Sequence, residues 1–221
     1  MHPPTAKRKG NALPGIPGRP KDPSKGEAIM NAAKTLFVKQ GFEHVSMDEI
    51  ASAAGVSKLT VYSHYGDKES LFSAAVACRC EELLGNDVFV PDPNKPLRAQ
   101  LLSIARVLFD LITSEDALAI HRLISALPPP TKLGQLYWEA GPRRIQEDFE
   151  AYLRGQVQRG RLELADAHQA ASQFCSLVKG EVHSKLLCGC GACDPKDIET
   201  HLQGAVDMFL RAYAPRRTLT A

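Results

Sequence analysis

From Ile29 onward, apolar residues return at offsets of four, seven and eight as Ala33, Leu36 and Phe37, and Gly41 ends the run. That spacing predicts a first helix with one buried stripe. Ser46, with Glu49 three residues on, has the arrangement of a capping box and opens a short helix that carries Ile50 and Ala54 inward until Gly55 closes it. Ser57 caps a third helix over about 58–65, and after Gly66 and Asp67 a fourth begins at Lys68 with Leu71, Phe72, Ala75 and Val76 inside.

From about Pro93 the pattern continues as helices. Leu97, Leu101, Ala105, Leu108 and Ile112 share one face, and "DALAIHRLISAL" follows before the triple proline 128–130 breaks the run. A helix over roughly 132–159 should kink at Gly141 and Pro142, because proline removes a hydrogen bond. Two further helices are expected near 167–187 and 197–213, the last striped by Leu202, Val206, Phe209, Leu210 and Tyr213. The fold class is all-α: an N-terminal helix-turn-helix domain of three helices and a larger helical domain. The boundaries read as an arm over 1–23, a DNA-binding domain over 24–70 and a ligand-binding and dimerisation domain over 71–221.

Two short helices joined by "AGVS" form a helix-turn-helix, and the residue types suit it. Ala51 is small enough for close approach, Gly55 supplies the positive φ of a tight turn, and Val56 and Val61 fill the space between the helices. The second helix then turns Lys58, Leu59, Thr60, Tyr62, Ser63 and His64 outward. A cation, hydroxyls, an imidazole and an apolar contact together are what phosphates and major-groove base edges call for.

Charge sharpens this picture. The net charge of +2 conceals a basic first 25 residues, where Lys7, Arg8, Lys9, Arg19, Lys21 and Lys25 face Asp22 alone, giving +5 and leaving −3 for the rest. Either a polyanion partner meets the arm or the arm is a solubilising tail. The acidic remainder argues against a DNA-packaging protein, which would spread basic residues over its body. Asn11, Pro14, Gly15, Pro17, Gly18 and Pro20 interrupt any secretory signal, and no apolar run approaches the roughly 20 residues that span a bilayer. The expectation is a cytoplasmic protein without a membrane partner, its six cysteines kept as thiols or metal ligands.

The stretch "GRPKDPSKGEAIMNAAKTLFVKQGFEHVSMDEIASAAGVSKLTVYSHYGDKESLF", residues 18–72, resembles the N-terminal domain of TetR-family transcriptional regulators nearly position by position. Leu59 departs from the family, which often has glycine there. "LYWEAGPRR" and "LRGQVQRGRLELADAHQAASQF" are similar to the C-terminal domain of AefR-like members. The resemblance implies a homodimer on a palindromic operator in double-stranded DNA, most simply a repressor released by a small apolar or aromatic inducer, with the last two helices pairing across the dimer. Its DNA-contact set is Arg19, Lys21, Ser46, Lys58, Leu59, Thr60, Tyr62, His64 and Lys68. Among these, Thr60, Tyr62 and His64 match recognition-helix positions, Lys68 matches a phosphate-binding lysine and Arg19 matches an arginine that enters a minor groove. Tyr62 can equally be half-buried against the first helix.

For the ligand, the middle helices offer Phe109, Leu123, Tyr137, Trp138 and Phe149 as walls, with His121 and Arg122 as polar points; each could instead be ordinary core or surface. No cofactor and no catalytic residue are expected. Cys188, Cys190 and Cys193 in a glycine-rich loop leave open a thiol- or metal-responsive alternative, although C-x-C-x-x-C lacks the paired spacing of a structural zinc module. Cys78 is expected on the Leu71 and Ala75 side of its helix and Cys80 opposite. His183 and Cys188 as base and nucleophile make a remote enzyme reading that no orienting third group supports.

Overall fold

The computed structural model describes residues 22–215, and all its regular structure is helical. Ten helices follow in order: α1 Pro23–Gln40, α2 Met47–Ala53, α3 Lys58–Tyr65, α4 Lys68–Leu84, α5 Leu97–Thr113, α6 Glu115–Ser125, α7 Lys132–Ala140, α8 Pro142–Gln158, α9 Ala167–Leu187 and α10 Pro195–Tyr213. Their starts are written locally. Asp22, Ser46, Ser57, Asp67, Ser114, Asp166 and Asp194 each accept a hydrogen bond from a first-turn backbone N–H, and proline stands in the first turn of α1, α8 and α10.

The N-terminal core joins α1 to α4. Ile29, Ala33, Phe37, Val45, Ile50, Val61, Leu71 and Phe72 are buried there. Phe37, Phe42 and Phe72 close on one another with ring centroids 5.3 to 5.8 Å apart, two of the three pairs edge-on. Ser46 and Glu49 form both halves of the expected capping box, and Gly55 turns at φ 66°. α4 runs past the 70/71 boundary: Leu71, Phe72, Ala75 and Val76 belong to the N-terminal core, which also takes in Leu133 and Ala140 of α7.

A second core lies among α5, α8, α9 and α10, around Leu101, Phe149, Leu153, Phe174 and Phe209. Gln100 is buried in it with its amide fully used, donating to the Asp92 and Lys95 carbonyls and accepting from Asp92 N–H and the Tyr152 hydroxyl. This amide fixes the connection before α5. Arg98 and Arg106 of α5 hold Asp207 and Glu199 of α10 in forked ion pairs, and Arg106 with Gln203 draws the Glu199 carboxyl down to about 2.

Two features differ from the expectation. Gly141 (φ −123°, ψ −83°) separates α7 from α8, so the expected kink is a complete break, with Pro142 free to open α8 because a first-turn N–H has no helical partner to lose. α9 is bent at Gly180, whose φ of 48° and ψ of −159° lie outside the helical region.

Candidate nucleic-acid interface and ligand cavity

The helix-turn-helix presents α3 as its outer element. Val61 alone on that helix is buried, while Leu59 is 78% and Tyr62 42% exposed. Tyr62 therefore leaves part of its ring open to solvent. Lys58 is exposed, but its ammonium meets Asp48 of α2 at 2.8 Å, which raises its pKa. Thr60 is half-buried with its hydroxyl 2.8 Å from that of the capping Ser57. His64 is half-buried beside Tyr65 and close to Gly26 of α1, and the Tyr65 hydroxyl donates to the Gly26 carbonyl.

Two expected DNA contacts are committed inside the protein. The Ser46 hydroxyl accepts from Glu49 N–H and donates to the Glu49 carboxylate, because an N-cap must satisfy an orphan amide. Lys68 donates to the Phe42 carbonyl at 2.9 Å and sits over the Phe42 ring at 4.3 Å, tying α4 to the turn before α2. Arg19 and Lys21 lie outside the described residues.

In the second half, a cavity of about 180 Å³ is lined from α4, α5, α6, α7, α8 and α9. Leu108, Leu111, Ile112, Ile120, Ile145 and Val178 make it apolar, and polar groups enter from Arg79, Asp116, His121, Tyr137, Gln146 and Lys179. Of the expected walls Tyr137 and Trp138 reach it, Trp138 half-exposed at its edge, and of the expected polar points His121 does. Phe109 and Phe149 do not. Both are buried in the second core, Phe149 packed on Phe174 of α9 at 4.8 Å. Leu123 packs on Gly41 at the end of α1 instead. Nor does Arg122 line the cavity: its guanidinium donates to the Leu186 and Leu187 carbonyls, capping the free C-terminal end of α9.

Sequence reasoning missed α4 as a wall. Val76, Arg79 and Cys80 line the cavity, and Cys80 packs on the N-terminal core. Cys78, expected on that side, lies instead at the α1/α4 edge beside Lys34 and Glu82. The three- and four-residue steps from Val76 to Arg79 and Cys80 were the available signal. Arg79 pairs with Asp116 of α6 at 3.0 Å and with Glu82, which holds Lys34 of α1, so charge pairs link the cavity wall to the first helix. Burial pushes the Cys80 thiol up to about 11 and that of Cys175 upward, which keeps these cavity thiols protonated.

His121 stands edge-on to Tyr137 and to the buried His183, its Nε2 3.3 Å from the Tyr137 hydroxyl. Burial lowers both imidazole pKa values from the usual 6.5, and for His121 the neighbouring His183 and Lys179 add to it. Above that value both rings are neutral in the folded and unfolded chain alike. Below it the unfolded chain takes up protons that the fold resists, so stability should be level above about pH 6.5 and fall as the pH drops toward the lowered values. Urea unfolding at about pH 7.5 and about pH 5.5 checks this, and H121Q/H183Q should lose less on acidification than the wild type.

Cys188 and Cys190 are exposed and Cys193 partly so, and among the described residues no three His, Cys, Asp or Glu side chains gather as a metal site. His183 stands edge-on to His121, and among the described residues its buried Nε2 has no hydrogen-bond partner, so the base and nucleophile pair with Cys188 is not joined there. No helix among the described residues is long and apolar enough to cross a membrane.

Residues 29–75 match the family described as bacterial regulatory proteins of the tetR family, and residues 99–215, more than half of the chain, match the AefR-like transcriptional repressor C-terminal domain. The chain belongs to the TetR family. It is a TetR-family DNA-binding transcriptional regulator, and its all-helical fold agrees with solved members. The flavonoid-responsive regulator FrrA, a solved structure, is 33% identical, with a TM-score of 0.74, over 88% of this chain and 100% of its own. A TetR-family regulator from Mesorhizobium loti MAFF303099 is 27% identical, with a TM-score of 0.73, over 86% of this chain and 97% of its own. The uncharacterised regulator YdeS of Bacillus subtilis is 31% identical over 66% of this chain and 71% of its own. For a TetR regulator with Tyr62 placed as here, Tyr62→Phe should weaken operator binding about fivefold, on the order of 1 kcal/mol, without lowering thermal stability. Anisotropy titration beside a thermal melt separates a hydroxyl that meets DNA from one that serves only packing.

Proposed function

We propose that this regulator is a homodimeric repressor of a palindromic operator, released when a small, largely apolar aromatic ligand enters the cavity. The observation that carries the reading is α4. Its first half anchors the helix-turn-helix through Leu71 and Phe72, and its second half forms cavity wall through Val76, Arg79 and Cys80. A ligand that reshapes the cavity therefore moves the helix on which the DNA-reading unit rests.

Apolar walls with a few polar points suit a planar ring system bearing hydroxyls or carbonyls. The name of FrrA favours the same chemistry, since flavonoids are of that kind. His121, Tyr137 and Trp138, joined by Arg79, are the contacts we assign to it. Repression is favoured by the description of the C-terminal match. For the dimer, α9 and α10 offer a shallow face with Leu177, Tyr213 and the exposed Met208, where a second copy would bury apolar surface. Residues 24–70 then read DNA, 71–221 sense and dimerise with α4 shared, and the arm 1–23 adds Arg19 and Lys21 to the phosphates or minor groove. This reading places the protein in the cytoplasm, beside its DNA.

Footprinting upstream of the protein's own gene tests it. The expected result is a two-fold symmetric protected site reaching two successive major grooves, lost on adding members of a flavonoid panel. Protection without symmetry, or protection that no planar aromatic compound disturbs, would contradict it.

A further inference from the structure

We propose that Leu59 is a specificity-determining residue that reads the 5-methyl group of a thymine in the major groove of the operator. Leu59 is the most exposed of the large apolar side chains among the described residues, at 78%, and it occupies the second position of α3. N-terminal residues of the second helix of a helix-turn-helix are those that reach base edges.

The polar groups of the residues on either side of Leu59 are already engaged. The Lys58 ammonium is held by Asp48, and the Thr60 and Ser57 hydroxyls bond each other. α3 contains no arginine, so its first turn lacks the free cation that makes the commonest guanine contact. What it offers is a branched apolar side chain, with the half-exposed Tyr62 one turn on extending the strip. In the major groove the apolar feature that distinguishes a base is the thymine methyl. Covering it removes two apolar surfaces from water at once.

The test uses full-length protein and the duplex it selects from a randomised DNA pool. Each thymine is then replaced singly by uracil, which deletes the methyl and keeps the pairing edge and O4. Wild type should bind about fourfold more weakly when either thymine of one symmetry-related pair is changed, a methyl being worth about 0.8 kcal/mol, and thymines outside that pair should stay within about twofold. L59A should bind more weakly throughout and be indifferent to uracil at that pair, while L59M, still apolar, should keep the sensitivity. At the same positions 5-methylcytosine should bind better than cytosine for wild type and no better for L59A. Uniform tolerance of uracil by wild type, unchanged sensitivity in L59A, or a pool that yields no preferred sequence overturns the proposal. If L59A melts lower than wild type, Leu59 belongs to an intramolecular contact and the proposal also fails.

Discussion

Gly180→Ala is expected to destabilise the protein by about 3 kcal/mol or more, lowering the melting temperature by roughly 6 to 12 °C. Gly180 takes a φ of 48°, a left-handed backbone that strains any residue with a Cβ. An added Cβ would stand 2.2 Å from Cε1 of His201 on α10. The imidazole cannot retreat without loss, because its Nε2 bonds the Val178 carbonyl at 3.0 Å, an acceptor next to the bend where the regular helical pattern fails. Backbone strain, a displaced ring and an abandoned hydrogen bond all act in one direction. Urea unfolding of G180A, H201A and the double variant separates them. If the clash dominates, the double variant costs clearly less than the two single changes together.

Phe72→Ala should cost about 3 to 5 kcal/mol, felt first by the DNA-reading unit. Phe72 is 2% exposed, and its ring meets Phe37 of α1 and Phe42 of the following turn edge-on, so truncation empties the centre of the small N-terminal core. The second core does not include this residue. F72A should therefore lose operator binding and part of its helical signal, while the dimerisation proposed for the α9 and α10 face should persist. Far-ultraviolet circular dichroism with sedimentation analysis checks this. Phe72→Leu, which keeps most of the volume, should retain measurable DNA binding.

The helix-turn-helix was legible because its determinants are local. A capping box lies within four residues, a tight turn needs one glycine, and the outward positions of an eight-residue helix follow from its period. The ion pair on Lys58 and the carbonyl held by Lys68 were not legible, since Asp48 arrives from α2 and Phe42 from the turn before it. The cavity shows the same divide. Phe109 and Phe149 are apolar residues of the middle helices, but only packing decides whether an apolar residue faces a neighbouring helix or an empty space. Arg122 read as a polar point for a ligand because the end of α9 is 64 residues away in sequence. The bend at Gly180 escaped because glycine inside a helical pattern is tolerated, and the ring that requires it lies on α10.

The central claim is that one cavity and one DNA surface are coupled through α4. Trp138, the single tryptophan of the chain, stands at the cavity edge and supplies the signal. The most direct measurement is ligand affinity by Trp138 fluorescence, with and without saturating operator, beside operator affinity with and without ligand, using an active compound from the flavonoid panel. Linkage requires the two ratios to be equal. The account predicts that each partner weakens the other by the same factor, about tenfold or more. A ligand that changes Trp138 fluorescence with the same affinity whether or not operator is bound would contradict it.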